Sequence, residues 1–201
     1  MNARHTPLMR TPKRAGIAFF LLLTLAVATA LAGNYSYKAS HITSKSPQAV
    51  WSILTAYGDI CDRGCKYRRP DLVVVKRLRH KNSKSSWYTW SHVSSTLKEV
   101  TYFTHVTIKR GNDGNLVANN RQLSKKDKNL IEKLEKKTGL RHAPAFDTGN
   151  TQTTTSTASG GKTRVTMHVT LSASGFLALW EGKIRKNMKS SIQRTFGNIG
   201  K

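Results

Sequence analysis

Acid is what this chain is short of: 10 Asp and Glu stand against 34 Lys and Arg in 201 residues. Most of those acids neighbour a Lys or Arg, so surface ion pairs account for them. Cysteine is nearly missing too, with only Cys61 and Cys65, and the nearest histidine is His80. With no third cysteine, a CxxxC metal half-site or a redox pair lacks support. G-x-S-x-G, the P-loop and H-E-x-x-H are all absent. No His–Asp pairing or nucleophile motif replaces them, so no metal or cofactor is implied and enzyme status is unsupported.

What is present begins with a leader. Met1 to Gly16 carries Arg4, Arg10, Lys13 and Arg14 and no acid, and an uncharged apolar run follows from Ile17, with small residues at Ala28, Ala30 and Ala32. That is the layout of a secretory signal peptide over residues 1–32, cut after Ala30 or Ala32. The alternative is an uncleaved membrane anchor, for which the run is near the short limit. Residues 33–201 form one domain, exported to the periplasm or beyond, or held at the membrane if the leader stays. Without the four leader bases its net charge is +20, four below the +24 of the whole chain. An oxidising compartment makes a Cys61–Cys65 disulfide the default expectation, closing the short loop "CDRGC".

Periodicity then predicts the elements. Asn34 to Ser44 alternates as a first strand, with Tyr35, Tyr37, Ala39 and His41 on one side. Ser46 is an N-cap and Pro47 a first helical residue. Val50, Ile53, Leu54 and Tyr57 make the apolar stripe of a short helix. Strands follow over Asp71–His80, Ser86–Ser95, Lys98–Arg110 and, after the turn "GNDGN", Leu116–Leu123. Ser124 with Asp127 resembles a capping box opening a second helix, whose stripe is Leu130, Ile131 and Leu134 and whose C-cap is Gly139. A Thr-rich strand, a Gly160-Gly161 turn and a strand with Val165, Met167, Val169 and Leu171 inward make the clearest hairpin. Phe176, Trp180, Ile184, Met188, Ile192 and Phe196 then recur every four residues, predicting one long closing helix with Lys183, Arg185, Lys186, Lys189 and Arg194 on its other face. Strands joined by short turns and one long apolar-faced helix give an α+β class.

Three stretches carry a family resemblance: "SPQAVWSILTAYGDI", "GGKTRVTMHVTLS" and "GFLALWEGKIRKNMKSSIQRTFGNI". In pattern the chain resembles the START-like (SRPBCC, polyketide cyclase and lipid-transfer) superfamily from about Asn34 to Gly200. The resemblance implies a helix-grip fold, a curved antiparallel sheet wrapped around the closing helix, with an apolar cavity for a lipid, isoprenoid, quinone or polyketide. The lining it implies comprises Trp90, His92, Tyr102, Val106, Met167, Val169, Ile184 and Met188, with Val100, Ile108 and Val165 beside them. The same residues also read as an ordinary packed core. Trp90 would stack on a ligand and His92 anchor it; otherwise both are ordinary strand residues. His105 and His168 run out of phase with their apolar neighbours and are expected to face solvent.

Charge supplies the partner. A field of this sign attracts polyanions. Arg68, Arg69, Lys183 and Lys186 are the expected docking residues on an anionic membrane, each worth about 1 kcal/mol near such a surface. The expected protein is therefore an exported, monomeric carrier of a hydrophobic small molecule or lipid. Two alternatives stand beside it. One is a cyclase/aromatase-type enzyme using His92 and Tyr102 in the same cavity. The other is a cationic polyanion-binding protein with a filled core, for which export makes nucleic acid an unfavoured partner.

Overall fold

The computed structural model describes residues 32–55, 72–78, 81, 83–94 and 99–200. The leader up to residue 31, Tyr57, Cys61, Cys65, Arg68 and Arg69 lie outside the described residues.

Seven strands form one curved antiparallel sheet: β1 (Ala32–Thr43), β2 (Leu72–Leu78), β3 (Ser86–Ser94), β4 (Glu99–Arg110), β5 (Leu116–Gln122), β6 (Thr148–Thr157) and β7 (Thr163–Ser174), in the order β1-β7-β6-β5-β4-β3-β2. The first and last strands are neighbours, paired from Ala32↔Ser174 to Thr43↔Thr163. Among the described residues three α-helices accompany them: α1 (Pro47–Thr55), α2 (Lys128–Thr138) and α3 (Glu181–Gly200).

Local chemistry sets the boundaries. The Ala49 amide donates to Ser46 Oγ at 3.2 Å, capping α1. Val50 is fully buried and Ile53 and Leu54 pack beside it, as the stripe required. The Ser124 amide donates to Asp127 Oδ2 at 2.9 Å in the capping box before α2. Gly139 ends that helix at φ 69, a left-handed conformation that disfavours any residue with a Cβ.

The closing helix is shorter than the four-residue spacing suggests. Gly175–Trp180 winds as a 3₁₀ segment, and the α-helix begins at Glu181. A 3₁₀ turn holds three residues, so the stripe loses phase there. Ile184, Met188, Ile192, Phe196 and Ile199 are buried, whereas Phe176 is 69% exposed and Leu179 58% exposed. The 3₁₀ segment is tied to the sheet by Tyr35, whose hydroxyl donates to the Ala178 carbonyl at 3.0 Å.

α3 lies across the inner face of the sheet, packed on β1 and β7 and meeting α1 through Val50. α2 lies on the opposite face. Its Leu134, fully buried, packs with Leu78, Trp90, Phe103 and Leu123. The part of the sheet around β2–β4 is therefore covered from outside as well, an arrangement the thin stripe of α2 did not announce.

Candidate functional site

Strand pairing decides which side chains face the helix grip. Trp87 stands opposite Val106, Val106 opposite Asn120, Asn120 opposite Thr151 and Thr151 opposite Val169. Alternation then puts Trp87, Thr89, Ser91, Tyr102, Thr104, Val106, Ile108, Met167 and Val169 on the inner face. Trp90 stands opposite Phe103, and His92 opposite Thr101, so both belong to the outer face.

The eight expected lining residues are thus not one constellation. Met167 and Val169 pack with Ile192 and Phe196 of α3, and Ile184 and Met188 pack with Tyr35 and Ala173. Val106 belongs to a separate inner cluster with Trp87, Ile108 and Leu116, against Trp51 of α1. Tyr102 is half-buried on the same face, opposite Ser91. Trp90 is buried under α2, its indole N–H donating to the Arg141 carbonyl at 2.8 Å. His92 approaches the Glu99 carboxylate at 3.3 Å beside the Trp90 ring. His92 and Tyr102 are separated by the sheet itself, so they cannot converge on one ligand.

Between the α3 side and the Trp87 cluster, β5 and β6 carry a polar band, with Gln122, Thr153 and Thr155 buried in it, and Thr89, Ser91 and Thr104 are buried on β3 and β4 beside the Trp87 cluster. Gln122 donates to the Phe146 carbonyl at 2.8 Å, and the Leu116 amide donates to Thr155 Oγ1 at 2.8 Å. Asn120 Oδ1 is buried in this band without a hydrogen-bond partner. The continuous apolar lining expected from alternating valines is interrupted because β5 and β6 bring Asn, Gln and Thr to the inner face.

One recess opens on the inner side, between α1 and β2–β4. It holds about 420 Å³ and is lined by Trp51, Thr55, Arg77, Lys84, Trp87, Thr89, Ile108 and Arg110. Trp87, Thr89 and Ile108 form its buried floor, while Arg77, Lys84 and Arg110 are exposed at the rim. The Arg77 guanidinium lies 4.6 Å over the Trp87 ring. No acidic side chain lines it among the described residues. Ile108 is the one member of the expected helix-grip lining found here; Trp51, Arg77 and Arg110 have no local signal and come together only once β2 pairs with β3 and α1 folds over them.

A second groove, of about 490 Å³, lies on the outer face along β4–β6 and is walled by polar side chains, His105, Thr107, Asn119, Arg121 and Asn150 among them. Its one cation is already satisfied: Arg121 donates to Asp127 at 2.7 and 3.0 Å. That pairing, with the Ser124 amide, holds the Asp127 carboxyl down at about 2. His105 faces outward as expected but is only half exposed, bonded to Ser86 Oγ at 2.8 Å and stacked on Tyr88. Burial first, then the Arg121 charge, lowers its pKa. His168 also faces outward, 2.7 Å from Ser36 Oγ.

Of the cations expected to dock the protein, the two described ones are on the open side of α3. Lys183 and Lys186 are exposed, and Lys183 Nζ lies 5.0 Å over the Trp180 ring. Trp180 in turn lies 5.9 Å from the exposed Phe176, and Leu179 is exposed in the same segment. Among the described residues, no helix is long and apolar enough to cross a membrane. Nor do any described His, Asp or Glu side chains form a group of three able to hold a metal ion.

No protein-family model and no curated protein sequence matches the chain. Solved structures do. A STAR-related lipid transfer protein from Xanthomonas axonopodis superposes with a TM-score of 0.58 at 12% identity, over 85% of this chain and 94% of that one. Human StAR-related lipid transfer protein 5 gives 0.55 at 14% identity, over 90% and 95%. The Zhui aromatase/cyclase from a Streptomyces species gives 0.55 at 12%, over 83% and 94%. The chain has the START-like helix-grip fold.

Proposed function

We propose that this protein is a carrier that holds a hydrophobic ligand on the inner face of the helix grip and docks on an anionic membrane. The recess walled by Trp51 and floored by Trp87 and Ile108 carries this reading. Its size falls in the range of small-molecule sites, and its aromatic and aliphatic floor gives an apolar guest surface to bury. The three similar structures, two lipid-transfer proteins and a cyclase, favour the same use of the fold. Of the enzymatic alternative, the pair His92 and Tyr102 is set aside, because they occupy opposite faces of the sheet.

Docking would use the 3₁₀ segment before α3. Phe176 and Leu179 are the large apolar side chains exposed there, Trp180 with Lys183 over its ring lies against Phe176, and Lys186 is exposed on the first turns of α3. An aromatic beside lysines suits the level of lipid headgroups. Inserting Phe176 and Leu179 is worth about 1.5–3 kcal/mol each, and each lysine adds about 1 kcal/mol on an anionic leaflet. Export by the leader would bring the protein to such a surface.

Native mass spectrometry of the protein purified from envelope material tests the carrier reading. A co-purifying apolar adduct is expected, and protein that is consistently empty and takes up no lipid from vesicles excludes it. Co-sedimentation with phosphatidylglycerol vesicles tests docking. Phe176→Asp with Leu179→Asp is expected to weaken it by about 100-fold, from about 3 kcal/mol of lost apolar burial. Unchanged vesicle binding by that variant, or binding that vanishes with salt alone, would instead favour a cationic polyanion binder.

A further inference from the structure

We propose that the recess between α1 and β2–β4 selects an amphiphile with one anionic head, a carboxylate or a phosphate. The head would sit among Arg77, Lys84 and Arg110, and the apolar part on Trp51, Trp87 and Ile108. The inference rests on the carrier reading and adds the chemical class of the guest.

Its basis is the gradient from floor to rim. Trp87 and Ile108 are 7% and 8% exposed, whereas all three cations stand exposed at the opening. An apolar tail gains by reaching the floor, and a charged head gains by staying at the rim, so only an amphiphile satisfies both levels. The three cations come from different places: β2, the turn before β3 and the end of β4. Only the sheet brings them to one opening.

None of the three cations meets a carboxylate among the described residues. Elsewhere the arginines that do meet acids are visible: Arg121 with Asp127 and Arg185 with Glu181. Arg77 lies with its guanidinium against the Trp87 ring. A cation–ring contact of this kind uses none of the guanidinium N–H donors, which can take a carboxylate or phosphate through two parallel hydrogen bonds. A neutral head, such as an alcohol, would leave three neighbouring positive charges uncompensated around it.

Isothermal titration of the full chain with dodecanoate, dodecyl phosphate and dodecanol, below their micelle concentrations, tests this. The acids are expected to bind at least tenfold more tightly than the alcohol, and the stronger of the two identifies the head. Arg77→Gln with Arg110→Gln is expected to remove that preference while the alcohol still binds, which also shows that the variant is folded. Lys133→Gln with Lys189→Gln, an equal charge change away from the recess, is expected to keep the preference. Equal binding of all three probes overturns the head-group inference and leaves the carrier reading standing. A preference lost equally in both double variants overturns it too, because the field of the whole protein would then be responsible. Failure of all three probes to bind overturns the carrier reading itself.

Discussion

Replacing Asp127 by Asn separates charge from shape at the one strongly perturbed carboxylate among the described residues. Asp127 accepts both Arg121 hydrogen bonds, at 2.7 and 3.0 Å, and the Ser124 amide at 2.9 Å. The Arg121 bonds are the main reason its pKa falls from 3.8 to about 2. Nearly two pH units correspond to about 2–3 kcal/mol at 1.36 kcal/mol per unit. Arg121 is 47% exposed, so solvent screens the pair, and we reduce the expected effect to about 1 kcal/mol. The sign follows from the depressed pKa. The unfolded chain takes up the proton first, so the contribution is complete above the unfolded value of 3.8 and is lost as pH falls towards 2. Urea denaturation of both proteins is the assay. Asp127→Asn is expected to be about 1 kcal/mol less stable at pH 7, and the gap is expected to narrow to less than half of that at pH 2.5, closing fully only below the folded value of about 2. A gap that stays the same at both pH values would refute the charge argument and leave only a capping or propensity effect.

Two further outcomes follow from the outer face. Leu134→Ala is expected to cost about 2–5 kcal/mol in denaturant titration, because the side chain is fully buried between α2 and the sheet; a loss below about 1 kcal/mol would mean that α2 is only loosely seated. His142 is held in its neutral form: burial lowers its pKa, and Nδ1 accepts the Phe103 amide hydrogen at 3.0 Å. Its contribution is therefore present above the unfolded value of 6.5 and lost as pH falls below it, so the wild type is expected to lose more stability between pH 7 and pH 5 than His142→Asn, whose amide oxygen still accepts; equal slopes would sink the assignment.

Much of the architecture was legible because it is written in local periods. The alternation of β7 and the four-residue spacing from Ile184 to Phe196 each describe a surface that must be covered, and the two cover one another. Ser46, Ser124 with Asp127, and Gly139 mark helix ends through bonds within a few residues. Phe176 shows where such reading fails. Its spacing continues the stripe, but the chain reaches α3 through a 3₁₀ segment that starts from Gly175 at φ 62. Nothing in the spacing of Phe176 distinguishes a tighter turn from a regular one.

Period two says which residues share a face of a strand, but not which face is inside. "SWYTWSHVSS" carries a tryptophan on each side, so Trp87 and Trp90 compete for the interior on equal terms locally. The decision is made far away in sequence. Trp87 faces Val106 and the inner side, while α2, entering 38 residues after Trp90, roofs the other. The same holds for charge. "KRLRHKNSK" looks like a solvated basic run, yet its Arg77 and Lys84 stand with Arg110 around one aromatic floor. What distinguishes a binding cation from a solubilising one here is not the run it belongs to but the apolar surface beneath it, and that surface exists only after three strands and a helix have met.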